Sequence, residues 1–234
     1  MTPPSPLPSS LADTIRAALV DARNPEKAPG MQAYMKSTMP FLGVGLWDTR
    51  KITLAIARAA QPAPDADEAR DAVVDLWCGA DWREERYAAQ ALLTLPVARA
   101  RLDWLDLHRE IIVTGDWWDH TDEAMHRIGE LLVAHRAEMT PVLLAWSRDE
   151  NRWLRRSAVI AQLEQKAATD TDLLTAVIEA NEADPDFFLR KAIGWALRQY
   201  SRTDPDWVRA FVEAHPGLSP LSRREATKHL PSPA

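Results

Sequence analysis

One spacing constrains this chain more than any other: Trp47, Trp82 and Trp117 stand 35 residues apart, and so do Trp118, Trp153 and Phe188. Around the last two, "RWLRRSAVIAQL" and "FFLRKAIGWAL" share the order aromatic, Leu, Arg, basic, small. A period near 35 with two helices in each repeat is the signature of a HEAT-type helical array. No helix pair in such an array can bury its apolar stripe alone, so pairs stack and leave a curved, concave face. The local pattern agrees. "LADTIRAALVDA", "AVVDLWC", "EERYAAQALLTL", "AMHRIGELLVAH" and "RKAIGWALRQY" carry apolar residues at helical spacing. Breakers and caps such as "RNPEKAPG", "QPAPDADE", "EADPD", "RTDPD" and "HPGLSP" separate them. The expected fold is therefore all-α: about twelve short helices and no strand, in a right-handed α-solenoid of HEAT-like (ARM/HEAT) repeats. One repeat domain is expected over 11–230, with flexible ends at 1–10 and 231–234.

The period also predicts which residues share a face. Trp118, Trp153 and Phe188 become equivalent positions of successive inner helices. Asp122, Ser157 and Ala192 follow one turn on, and Met125, Ile160 and Trp195 nearly one turn beyond. On this register Asp122 puts a carboxylate where its repeat-mates are small. Breaks of this kind in a local rule gather at functional sites.

The stretch "TGDWWDHTDEAM" at 114–125 sorts its carboxylates by position. Asp116 is expected at the N-cap, and Asp119 at the third helical residue, facing the positive helix end. Both then have structural explanations. Asp122 lies beyond the first turn, four residues after Trp118, and so on the same helix face.

Charge narrows the partners. The net charge of −6 argues against a uniformly basic nucleic-acid protein, but the charges are segregated. Residues 65–85 hold eight carboxylates against Arg70 and Arg83. Residues 151–163 hold Arg152, Arg155 and Arg156, and residues 187–202 hold Arg190, Lys191, Arg198 and Arg202, with no carboxylate in either stretch. Segregated charge points to a face with a purpose. The single cysteine, Cys78, excludes an internal disulfide and fits a reducing cytosol; at a helix end it is expected to be buried and structural. No secretion signal and no run of 18 apolar residues is found, so a cytoplasmic protein without a membrane span is expected. His108, His120, His126 and His135 lack a ligand partner set, and there is no phosphate-cradling Gly-rich loop; no metal and no cofactor are expected.

The chain resembles the AlkD family of DNA alkylation-repair glycosylases, which are HEAT-like solenoids. The resemblance lies in "NPEKAPGMQAYMKSTMPFLGV" at 24–44, "IIVTGDWWDHTD" at 111–122, "NRWLRRSA" at 151–158, "FFLRKAIGWALRQY" at 187–200 and "PLSRREATKH" at 220–229, in order. It implies hydrolysis of the N-glycosidic bond of positively charged N7- and N3-alkylated purines in duplex DNA, by a monomer. Asp122 matches the catalytic Asp, and Trp118 and Trp195 match the tryptophans that hold the lesion nucleotide. Arg156 matches an Arg on the lesion-strand phosphate, and Tyr34 a Tyr near the DNA. Phe188, Arg190, Lys191 and Arg198 complete the expected DNA-binding set. One departure stands out: after "FLGV" the family continues with a Thr-Pro helix start, and this chain has "GLWDTR". The alternative is a non-catalytic HEAT-repeat protein that binds unusual DNA structures or a protein partner.

Overall fold

The computed structural model describes residues 10–230 and is all-α, with thirteen α-helices and three short 3-10 turns. This is the helical-repeat class expected from the sequence, and no strand occurs among the described residues. The expected flexible ends lie outside the described residues, apart from Ser10, which caps the first helix. Contacts divide the chain into two compact units with the boundary between Arg99 and Ala100.

The first unit holds α1 (Leu11–Asp21), α2 (Ala28–Met35), α3 (Leu46–Ala59), α4 (Ala66–Cys78) and α5 (Arg83–Leu92). Ile15, Leu19, Val73, Leu76 and Leu92 are fully buried and form its core. A buried carboxylate organises the loop before α3. Glu84 accepts backbone N–H bonds from Leu42, Gly43 and Val44 at 2.9, 2.9 and 3.0 Å. Gly43 has φ +89°, and a Cβ there would sit 2.0 Å from the Asn24 carbonyl oxygen, so only glycine fits this turn. The "GLWDTR" departure still starts a helix: Gly45 is the N-cap of α3 and Leu46 its first residue.

The second unit holds α6 (Leu105–Gly115), α7 (Trp118–Ala134), α8 (Arg136–Trp146), α9 (Arg152–Ile160), α10 (Thr171–Glu179), α11 (Phe187–Tyr200), α12 (Pro205–Ala214) and α13 (Pro220–Thr227). Helices α7, α9, α11 and α13 pack side by side in that order, each next to an even-numbered helix. The breakers read from the sequence are their caps. Asn151, Asp170, Asp186, Asp204 and Ser219 each accept a backbone N–H at a helix start. Pro205 and Pro220 occupy first helical positions, where a missing N–H costs nothing.

The period is real, but it is not a uniform 35. The N-caps of α5, α7, α9, α11 and α13 are Trp82, Trp117, Asn151, Asp186 and Ser219. The step from α7 to α9 is one residue short of 35, and the register shifts with it. Trp118 opens α7, whereas Trp153 and Phe188 are the second residues of α9 and α11. Trp47 lies on α3, two residues after its cap, and is exposed. The shift corrects the expected rows: the fifth residues of α7, α9 and α11 are Asp122, Arg156 and Lys191. Ser157 and Ala192 are fully buried behind them.

Candidate active site

The site begins at an uncapped helix start. Asp116 is not the N-cap of α7: it takes the left-handed conformation at the C-terminus of α6, with φ 43° and ψ 34°. Trp117 is the cap residue, extended and without a side-chain bond to the helix. Asp119 is therefore the second helical residue, still in the first turn where the helix dipole favours a carboxylate. Asp116 has a different partner. Its Oδ1 accepts the indole N–H of Trp153 at 2.6 Å. That bond fixes the centre of an aromatic cluster in which Trp153 lies 6.2 Å from Trp117 and 4.9 Å from Phe188, with Phe187 5.5 Å from Phe188.

Asp122 stands one turn into α7. Arg156 of α9 grips it with both prongs of its guanidinium: Nε donates to Oδ1 and Nη2 to Oδ2, each at 2.8 Å. The remaining Nη1 donates to the Phe188 carbonyl at 2.7 Å, so one side chain ties three successive helices together. The Arg156 side chain is 6% exposed and that of Asp122 is 20% exposed. The carboxylate is thus the more exposed member of the pair. Burial pushes the Asp122 carboxyl above the ordinary aspartate range, and the Arg156 fork pulls in the opposite direction. Trp118 and Trp195 are partly buried and pack against the same apolar core.

The other expected DNA contacts are placed as follows. Lys191 Nζ donates to Oε1 of Glu225 at 3.0 Å, and Arg198 Nη1 to Oε2 of the same carboxylate. Arg190 Nε donates to the Asp184 carbonyl. Phe188 is partly buried in the aromatic cluster. Tyr34 is exposed on α2 in the first unit. The geometry brings together Asp122, Arg156 and the Phe188 backbone on one side, and Lys191 and Arg198 on the other. Arg156, expected to meet a phosphate, is already engaged through all three nitrogens.

Comparison with known proteins gives the family to which this geometry belongs. The family model described as "DNA alkylation repair enzyme" matches residues 15–230. The chain belongs to that family. A solved "predicted DNA alkylation repair enzyme from Enterococcus faecalis" is 30% identical, with a TM-score of 0.72, over 90% of this chain and 98% of that one. A second is a Pseudomonas fluorescens alkylpurine DNA glycosylase, AlkC, bound to DNA containing an abasic site analog. It is 19% identical with a TM-score of 0.50, over 96% of this chain and 65% of that one, and the likeness is one of fold. Among curated proteins none matches.

In this member of the family the histidines take packing and pairing roles. His108 is buried, and burial pushes its imidazole down to about 4. His120 is buried against Gly115, His126 pairs with Glu164 at 2.9 Å, and His135 bonds the Ala100 carbonyl at 2.9 Å. Among the described residues no group of three or more His, Cys, Asp or Glu could hold a metal. Among the described residues no helix is long and apolar enough to cross a membrane either. Cys78 ends α4 as expected but is exposed, because the last turn of that helix turns its side chain away from the core that holds Leu76 and Trp77. Two partners escaped the sequence reading: Glu225, and Asp116 as a brace for Trp153. The absence of carboxylates within the basic stretches was the available signal, since paired carboxylates had to come from elsewhere in the chain.

Proposed function

We propose that this protein is an AlkD-like alkylpurine DNA glycosylase that releases positively charged N7- and N3-alkylated purines from duplex DNA. The observation that carries the reading is the Asp122–Arg156 fork, a partly exposed carboxylate immobilised by a buried guanidinium. An N7- or N3-alkylated purine is already a cationic leaving group and needs no proton donor. The sugar develops oxocarbenium character as the glycosidic bond stretches, and a fixed carboxylate beside it stabilises charge that exists only in the transition state. The Arg fork keeps Asp122 ionised and oriented, yet each carboxylate oxygen retains acceptor capacity to orient a water. Trp118 and Trp195 cradle the nucleotide, contributing roughly 0.5–2 kcal/mol of cation–π attraction per contact. Phe188, Arg190, Lys191 and Arg198 serve the DNA, with Tyr34 contributing from the first unit. The protein acts as a cytoplasmic monomer without metal or cofactor.

A second reading has an observation of its own. Arg136–Asp170, Arg152–Asp186 and Arg155–Asp184 also join neighbouring repeats, at 3.3, 3.4 and 3.1 Å, so Asp122–Arg156 could be one more staple in a non-catalytic HEAT-repeat protein. What sets it apart is the burial of one partner only, with both prongs used.

The test is to incubate the protein with methylated duplex DNA and measure released 7-methylguanine and 3-methyladenine. Asp122→Asn should slow release more than about tenfold, about 1.4 kcal/mol on the barrier. Its stability at neutral pH should hold or rise, because the folded state already disfavours the charged carboxylate. Asp122→Asn with Arg156→Gln removes both charges and should stay folded while release stays lost. Release that persists in both variants would make the pair a staple and end the catalytic reading. Neutral lesions such as hypoxanthine or uracil should remain in the duplex, because no proton donor serves the leaving base.

A further inference from the structure

The row that begins with Asp122 and Arg156 continues through Lys191 to a second carboxylate, Glu225 on α13. Its mounting is rigid. Helix α13 closely approaches α11 at Gly194, where an added Cβ would lie 2.5 Å from the Glu225 Cβ and 3.0 Å from the Ser222 carbonyl oxygen. Ser222 Oγ donates to the Arg190 carbonyl at 2.9 Å and ties the same two helices together one turn earlier. Glu225 is thus pressed onto the backbone of α11, with little freedom to swing away.

From that position it meets two cations, Lys191 at 3.0 Å and Arg198, which lie seven residues apart and so on one face of α11. The Glu225 side chain is 14% exposed and the Lys191 side chain 40% exposed. The carboxylate is the inner member of the group and the lysine its outer one. Two cations on one carboxylate leave a single net positive charge facing solvent. The ammonium has two further donors for a phosphate, and the guanidinium four.

Phosphate contacts carry affinity but no lesion discrimination, and each cation adds to binding on every duplex. A repair enzyme that must leave undamaged DNA lets go of it more readily when such charge is held down. Resting on the DNA-repair reading above, we propose that Glu225 sets the overall strength of DNA binding: it neutralises one of the two cations at Lys191 and Arg198 and so limits how tightly any duplex, undamaged duplex included, is held.

The inference is tested on a net-charge ladder, using the full chain and a short unmodified duplex, with Kd measured against salt concentration. Glu225→Gln leaves two net charges, wild type one, Lys191→Met with Glu225→Gln one, and Lys191→Met none. Affinity should follow that order. Each step should change Kd roughly tenfold at about 0.1 M salt and the salt slope by about one. Glu225→Asp keeps the charge and should stay within about threefold of wild type. Asp206→Asn, on the exposed side of α12, changes the overall charge equally and should move Kd less than about twofold. On a duplex carrying 7-methylguanine, Glu225→Gln should gain by the same factor as on the unmodified one, so the ratio of the two Kd values holds while both tighten. If Glu225→Gln folds poorly, Lys191→Met and its double variant give the same comparison, and the double must bind more tightly. Unchanged or weaker binding upon loss of the carboxylate overturns the inference, as does a Glu225→Asp that tightens as much as Glu225→Gln. Wild type that binds neither duplex overturns the repair reading and this inference with it.

Discussion

Glu84, in the first turn of α5 in the first unit, and Asp122, one turn into α7 in the second, are both carboxylates held by hydrogen bonds, and they do opposite things. Glu84 is fully buried, and its oxygens accept three backbone N–H bonds from residues 42–44. Asp122 meets one guanidinium, and its side chain is 20% exposed. A carboxylate closed over its own backbone is scaffold. One held from behind and open in front can act on something else. The same contrast runs through the stretches around them. In the acidic run of the first unit, Asp65 caps α4, while Asp75 and Glu85 grip Arg16 from α1. In the basic runs of the second unit, Arg152, Arg155, Arg156, Lys191 and Arg198 are each paired with a carboxylate. Segregated charge in this sequence therefore marks charges that find their partners across helices more often than it marks open faces.

The comparison breaks most sharply at Glu84. Glu84→Ala strands three buried donors, each worth about 1–3 kcal/mol, so a loss of about 3–5 kcal/mol in denaturant unfolding is expected. Excision per folded molecule should hardly change. A mild stability effect would show that the loop does not depend on this clasp.

Arg156→Gln comes next. It leaves Asp122 without its counter-charge and the Phe188 carbonyl with a poorer donor; a loss of about 2–4 kcal/mol is expected from thermal or denaturant unfolding. It also carries a pH signature. Burial already raises the Asp122 carboxyl, so excision should fall on acidification at a pH above the ordinary aspartate range. Removing the opposing guanidinium raises it further and should move that acid limb upward. A limb that stays in place would mean that Arg156 serves the DNA and not the carboxylate.

The two carboxylates of the row should respond to pH with opposite sign. Asp122 is easier to protonate in the folded state than in the unfolded chain, so it withdraws stability as pH rises from the ordinary aspartate range through its raised value. Lys191 leads the groups that hold Glu225 below the ordinary glutamate range. Its contribution is present above that range and is lost as pH falls through the depressed value. Stability measured against pH in Asp122→Asn and Glu225→Gln should therefore diverge from wild type in opposite directions. Parallel curves would sink the distinction.

The smallest effects belong to the two carboxylates beside the site. Asp116→Ala removes the acceptor from the Trp153 indole and should cost about 1–2 kcal/mol, with a smaller decrease in excision through the aromatic cluster. Asp119→Asn should cost about 0.5 kcal/mol or less, the worth of one first-turn charge on the helix dipole. A larger loss of excision from Asp119→Asn than from Asp122→Asn would reassign the catalytic carboxylate.

Much of this was legible in residue order because it depends on local rules. Apolar spacing made the helices, Asp and Ser before the breakers capped them, and a tryptophan period exposed the repeat. Asp122 was legible too, as a carboxylate beyond the first turn where a cap has no use for it. Its partner was not. The step from α7 to α9 is one residue shorter than the period, and one residue rotates a helical position by about 100°. Sequence spacing therefore paired Asp122 with Ser157 when packing pairs it with Arg156. Only the tertiary structure decides such a register, because hydrogen-bond distance between neighbouring helices depends on where each helix starts. The same holds for Asp116, whose left-handed backbone turns it away from its own helix toward Trp153, and for Glu225, which reaches Lys191 only because Gly194 lets two helices meet.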